Sequence, residues 1–167
     1  MTEPFDRLSH FGDVESLHAL LENTPYTRML GIGVAEEQSS PALSRGTAET
    51  PVLVLKFSED IIGNVRLPAI HGGVIGAFLE TTALATLIWA SSSEFLPKTI
   101  DISFEYLRSG RPRDTFAQAT ITKHGRRVAN VRVEAWQEDP ARPIAAAHGH
   151  FLIKPRDDAG PGAGSGA

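Results

Sequence analysis

The sequence predicts an α+β domain in which about six antiparallel strands surround one long helix that is apolar almost all round. Three observations lead there. Residues 67–93, LPAIHGGVIGAFLETTALATLIWASSS, hold no Lys or Arg and one formal charge, Glu80, in a chain with 22% charged residues. The second half of the chain alternates apolar and polar residues in four runs, the period of a half-buried strand. The links between those runs (SGRPR, GRR and QEDPAR) are short, and short links make successive strands antiparallel neighbours. A helix without a polar face has to be covered on most sides, by a curved sheet and by a partner subunit.

In chain order, residues 1–12 read as an N-terminal extension, 13–154 as the domain and 155–167 as a disordered Gly/Ala/Pro-rich tail. DVESLHALLEN (13–23) predicts an amphipathic helix that starts at Asp13 or a neighbour, turns Leu17, Leu20 and Leu21 inward, and has Pro25 beyond its end. LGIGVAEE (30–37) and PVLVLKFS (51–58) predict strands on either side of a Ser/Pro/Gly-rich loop. EDIIGNVRLPAI (59–70) is a connection with turn signals at Gly63–Asn64 and Pro68. The apolar helix begins near Gly72 and ends in Ser91–Ser93. TIDISFEYLR (99–108) places Ile100, Ile102, Phe104 and Tyr106 on one strand face. DTFAQATITKH (114–124), VANVRVEAW (128–136) and PIAAAHGHFLIK (143–154) are the remaining strands.

Composition narrows the classes of function. A chain of 167 residues is long enough for one domain with a real core. Its net charge of −4 gives no footing for bulk nucleic-acid binding. With no cysteine, disulfides and cysteine-ligated zinc or iron–sulfur sites are excluded. MTEPFDRLSH has neither a basic start nor an apolar run, so no leader is expected and the expected location is cytoplasmic. The apolar helix is not expected to cross a membrane. A carboxylate at mid-span costs roughly 2.5–3.5 kcal/mol on insertion, and Glu80 would stand there among Ala, Thr and Gly.

Glu80 is either a rim residue that reaches solvent or a functional group. Its neighbours on the helix wheel include Gly73, Gly76, Ala77, Leu84 and Leu87, none of them basic. A desolvated carboxylate holds its proton to higher pH and can serve as a base or nucleophile near neutrality. His71-Gly72-Gly73 stands at the start of the same helix. Two glycines there either let the loop turn and pack, or leave backbone N–H groups open to a developing negative charge.

Other constellations are poorer. There is no G-x-S-x-G elbow, dinucleotide fingerprint or phosphate loop. His148 and His150, two apart on a strand, lack a third ligand, so no metal site is assigned. Arg108, Arg111, Arg113, Lys123, Arg126 and Arg127 share a window whose one acid is Asp114. They sit at the two ends of one strand, roughly 30 Å apart, so one chain cannot aim both groups at one phosphate. They are either a solubilising surface or a site for an anionic ligand.

GNVRLPAIHGGVIGAFLETTALA, KTIDISFEYLR, TKHGRRVANVRVEAW and AAAHGHFLI, in that order, resemble the hotdog-fold acyl-CoA thioesterases of the phenylacetate-degradation (PaaI-like) type, over about residues 28–154. The resemblance implies an antiparallel sheet around a central helix, in a homodimer that often doubles to a tetramer. It implies hydrolysis of an acyl- or aroyl-CoA without metal or organic cofactor. Gly72 matches the glycine whose N–H polarises the thioester carbonyl, and His71 the histidine that supports it. Glu80 falls at the catalytic carboxylate, Thr99 at a residue that holds the attacking water, and Asn64 at an asparagine of the preceding loop. Gly73 and Tyr106 match substrate contacts, and the turn at Lys123, His124, Gly125, Arg126 and Arg127 matches one that meets CoA phosphates. A non-catalytic acyl-CoA-binding or sensing module is the alternative; it would not need Glu80. Phe78, Trp89, Phe104 and Tyr106 either line an aromatic acyl pocket or fill the core.

Helix geometry adds a constraint. Gly72 and Glu80 stand about 12 Å apart along the axis, at 1.5 Å per residue. A base works within about 3 Å of its proton, or through one water, so a complete site is expected to take Gly72 and Glu80 from different subunits.

Overall fold

Local chemistry sets the first helices of the computed structural model, which describes residues 13–36, 50–91 and 95–153. The expected extension, the loop at 37–49, the serines after the long helix at 92–93 and the tail lie outside the described residues. Asp13 caps α1 (Val14–Asn23) by accepting the Ser16 N–H at 2.8 Å. That bond, together with the Ser16 hydroxyl, holds the Asp13 carboxyl below the usual carboxylate range. Leu17 and Leu21 of α1 are buried, and Leu20 packs partly against the same core. Pro25 does not simply follow α1. It opens a second short helix, α2 (Pro25–Leu30), because a first-turn position needs no N–H. Gly31, in the left-handed region at φ 72°, closes α2. The strand expected from residue 30 shrinks accordingly to β1 (Ile32–Val34).

β2 (Val52–Leu55) pairs with β1. A 3-10 turn at Glu59–Ile61 leads into a small hairpin of β3 (Ile62–Asn64) and β4 (Ala69–Ile70). The long helix α3 spans Gly72–Ala90. The four expected strands follow as β5 (Lys98–Tyr106), β6 (Thr115–His124), β7 (Val128–Trp136) and β8 (Ala145–Leu152). The main sheet is wholly antiparallel, in the order β1-β2-β6-β7-β8-β5, so β5 forms one edge. This is the arrangement that the resemblance implies.

The sheet holds α3 against its inner face. Ala117, Ala119, Ala129, Ala135, Ala145 and Ala147 all point inward and are buried, and side chains this small let the helix lie close to the strands. Phe78, Leu79, Ala83 and Leu87 of α3 fill the space against Leu53, Leu55, Val131, Val133 and Phe151. Val74, Ala77, Thr81, Leu84 and Ile88 recur at helical spacing and stay only half-buried. A stripe of α3 is therefore left uncovered by its own sheet.

One departure from regular pairing sets the position of Thr99. Strict alternation puts Ile100 on the inner face with Ile102, Phe104 and Tyr106, and Thr99 on the outer face with Asp101. In the fold, Thr99 pairs with Phe151 and Asp101 with His150, so Ile100 is the extra residue of a bulge and is exposed. The bulge returns Thr99 to the inner face while Asp101 stays outside. Gly149, paired with Ile102 next to the bulge, makes room, since a Cβ there would stand 2.7 Å from the Asp101 carbonyl oxygen.

Candidate active site

At the start of α3, His71 is the cap. Its Nδ1 accepts the Gly73 N–H at 2.9 Å, so that nitrogen carries no proton, and in the neutral ring Nε2 does. The Val74 and Ile75 N–H groups both bond to the His71 carbonyl. Of the four N–H groups that a helix start leaves open, only that of Gly72 has no protein acceptor among the described residues. Of the two glycine amides that could have stayed open to a developing charge, that of Gly73 is taken up by His71. Gly63 of β3 lies against His71, where a Cβ would come within 2.7 Å of the His71 Cα.

Tyr106 closes the other side of this turn. Its hydroxyl donates to the Gly72 carbonyl at 2.9 Å, and its ring lies 3.5 Å from where a Gly72 Cβ would be. Phe104, its neighbour on the same face, packs on Gly76. Asn64 stands at the end of β3, but its Oδ1 accepts the Arg66 and Leu67 N–H groups at 3.0 and 3.2 Å. Its carbonyl oxygen therefore shapes the β3–β4 turn. Val65 and Leu67 at the tip of that turn are exposed, at 87% and 74%.

Two turns along α3 stands Glu80. Its carboxylate is half-buried, less enclosed than its apolar surroundings in the sequence suggest. Thr99 donates its hydroxyl to Glu80 Oε1 at 2.6 Å, a contact that depends on the bulge at Ile100. The helix places Glu80 about 12 Å along the axis from the Gly72 amide of the same chain.

The basic turn lies at the Thr99 end of the sheet. Thr99 pairs with Phe151, Phe151 with Ala129 and Ala129 with His124, so the four residues form one row across β5, β8, β7 and β6. At the usual strand spacing His124 lies about 14 Å from Thr99. Gly125 closes the turn through its N–H to the Val128 carbonyl at 2.9 Å, and Lys123, Arg126 and Arg127 are exposed. The expected residues thus fall into two groups in one chain: His71, Gly72, Gly73, Asn64 and Tyr106 around the helix start, and Glu80, Thr99 and residues 123–127 toward the opposite end.

Of the aromatic candidates, Phe78 is fully buried core, and Trp89 and Phe104 pack partly against that core. His150 Nδ1 lies 3.0 and 3.1 Å from the two oxygens of Asp101, and His148 sits opposite Ser103. Among the described residues no three His, Asp or Glu side chains are placed to hold a metal. Gln137, which no sequence motif marks, accepts the Arg111 N–H at 3.0 Å and donates to the Arg111 carbonyl at 2.9 Å, joining the β5–β6 and β7–β8 connections.

Residues 67–144 match the family model described as the thioesterase superfamily. The chain is 28% identical over 142 residues to the medium/long-chain acyl-CoA thioesterase YigI of Escherichia coli strain K12, covering 77% of this chain and 85% of that protein. It is 36% identical to a Chromobacterium violaceum protein of known crystal structure, over 89% of this chain and 96% of that one, with a TM-score of 0.67. A point mutant of the phenylacetic acid degradation protein PaaI from Thermus thermophilus shares the fold at 19% identity. That match covers 77% of this chain and 97% of that one, with a TM-score of 0.58.

Proposed function

The chain is a hotdog-fold thioesterase of the thioesterase superfamily, and from that premise we propose that it hydrolyses acyl-CoA thioesters at sites shared between two protomers. One observation carries the reading: the open Gly72 amide and the Glu80 carboxylate lie on one helix, too far apart to meet at one carbonyl. Two antiparallel helices across a two-fold axis remove the problem, since each brings its Glu80 to the other's start. The half-buried stripe Val74–Ala77–Thr81–Leu84–Ile88 and the exposed tip at Val65 and Leu67 supply apolar surface for such a pairing, which extends to a dimer of dimers.

The Gly72 N–H, at the positive end of α3, donates to the thioester carbonyl oxygen and stabilises the negative charge that grows there. Glu80 of the other protomer takes a proton from a water as that water attacks the carbonyl carbon. Thr99 fixes which carboxylate oxygen remains free. Collapse of the tetrahedral intermediate breaks the C–S bond; the proton that Glu80 took passes to the departing sulfur, so CoA leaves as a thiol, the acyl group leaves as a free acid and the carboxylate is regenerated. Tyr106 holds the Gly72 peptide from its carbonyl side, so its part is to position that amide.

The test is thiol release from purified protein on a panel of phenylacetyl-, hydroxybenzoyl-, short- and long-chain acyl-CoAs, before and after chelator treatment. Turnover of at least one ester that survives chelation supports the reading. No release above background across the panel would turn it toward a binding module.

A further inference from the structure

A cleft beside the helix start supplies no group to the bond-breaking steps proposed above. It encloses about 320 Å³ between the β5–β6 and β7–β8 connections, and its walls include Arg108, Arg111 and Arg142 as well as Glu138 and Asp139. That volume lies at the lower end of the range for small-molecule sites.

The charges in the cleft are not balanced. Arg113 pairs with Glu138 and neutralises it. Asp139 accepts the Ala141 N–H at 2.9 Å and remains the one carboxylate of the cleft without a cationic partner among the described residues. Arg108 donates to the Pro143 carbonyl at 2.7 Å, a bond that leaves its charge uncompensated. Arg111 and Arg142 have no side-chain partner among the described residues. Three guanidinium groups thus share a concave site with one open carboxylate, in a chain whose net charge is −4. Like charges gathered this way repel, and an anion with two charges removes that cost.

The backbone beneath these arginines is fixed. Gln137 accepts the Arg111 N–H at 3.0 Å and donates to the Arg111 carbonyl at 2.9 Å, a two-way clamp. Leu107 and Arg108 both donate their N–H groups to the Ile144 carbonyl. Gly110 ties the loop to the active-site side, since its carbonyl accepts the Ile70 N–H at 2.9 Å, one residue before His71. Arg108 itself follows two residues after Tyr106, whose hydroxyl holds the Gly72 carbonyl.

We propose that the Arg108–Arg111–Arg142 cleft binds the phosphate groups of a nucleotide. Planar guanidinium forks match phosphate oxygens two at a time, so an arginine loses less freedom per hydrogen bond formed than a lysine does. Two sources have this chemistry: the nucleotide end of a CoA ester whose carbonyl lies at Gly72, or a free nucleotide that acts beside the site. The first source rests on the proposed hydrolysis; the phosphate site itself does not.

Calorimetry of the full chain with adenosine 3′,5′-diphosphate as the probe tests the site without any turnover. The double variant Arg111→Gln/Arg142→Gln should weaken the probe's Kd at least tenfold, and Arg111→Lys/Arg142→Lys should recover part of the loss. Both side chains are free of internal partners among the described residues, so thermal melting should show the variants folded. Kinetics then separates the sources. If the KM for an acyl-CoA rises at least fivefold more than the KM for the same acyl-pantetheine, the cleft serves the substrate. If the two rise together and added probe changes acyl-pantetheine turnover in the wild type alone, it serves a free nucleotide. Probe binding that survives the Gln variant, or that is lost only when Lys123, Arg126 and Arg127 are replaced, overturns the proposal.

Discussion

Replacing Thr99 by Val tests the link between the bulged strand and the carboxylate. The substitution keeps the β-branched shape that suits a strand and removes only the hydroxyl that donates to Glu80 at 2.6 Å. A hydrogen bond to a charged group contributes about 1.5–3 kcal/mol. With about 1.4 kcal/mol per factor of ten in rate, kcat should fall between roughly tenfold and 150-fold if the whole bond is expressed in the transition state. Glu80→Gln alone should lower kcat by about 100-fold or more, with KM little changed. Because Thr99 acts through Glu80, adding Thr99→Val to Glu80→Gln should cost less than about threefold more. Steady-state thiol release at saturating acyl-CoA supplies the rates, and thermal melts confirm that each variant is folded. A Thr99→Val protein within about twofold of wild type would show that the bond does not orient the base. Losses that multiply in the double variant would give Thr99 a separate role and refute its action through Glu80.

Four further outcomes rest on the same geometry. Gly149→Ala drives a Cβ to 2.7 Å from a backbone oxygen, so it should destabilise the fold by about 1–3 kcal/mol and reduce kcat; an unchanged Tm would mean that the bulge is loosely held. Changing Lys123, Arg126 and Arg127 together to Ala should raise KM for CoA esters and flatten its salt dependence, with less effect on kcat, and an unchanged KM would return these residues to the solvated surface. Glu80→Gln and Gly72→Pro, each inactive alone, should regain part of the activity when refolded together, since a mixed dimer contains one intact shared site; if both fold and exchange subunits yet stay inactive, the sites are not shared. Asp13, held below the usual carboxylate range, contributes stability that is present above the unfolded pKa of about 3.9 and is lost as pH falls through its lowered folded value. The Tm gap between wild type and Asp13→Ala should therefore close on acidification, and a gap that stays constant with pH would rule out the charged cap.

The features legible in the sequence are those that depend on near neighbours. Apolar residues at every turn mark α3 because a helix without a polar face needs a cover, and Glu80 stands out in it because a charge there has no local partner. The span of β7 follows from period-two alternation closed by turn residues, as does that of β6 to within a residue at its start. The cap at Asp13 is equally local. Local signals also misled: Pro25 reads as a stop, yet the same missing N–H lets it start α2. The site depended on contacts between distant segments. Alternation assigns Thr99 to the outer face, and only the bulge at Ile100, admitted by Gly149 far along the chain on β8, brings it to Glu80. The openness of one glycine amide and not its neighbour was decided by the His71 ring folding back onto Gly73. Arg142 joins Arg108 and Arg111 because antiparallel pairing of β5 with β8 brings their ends together from separate parts of the chain. A strand's face changes with one inserted residue, and a hydrogen-bond donor is free or taken according to whatever the chain brings beside it. Neither is a property of any short stretch, so both wait on the tertiary structure.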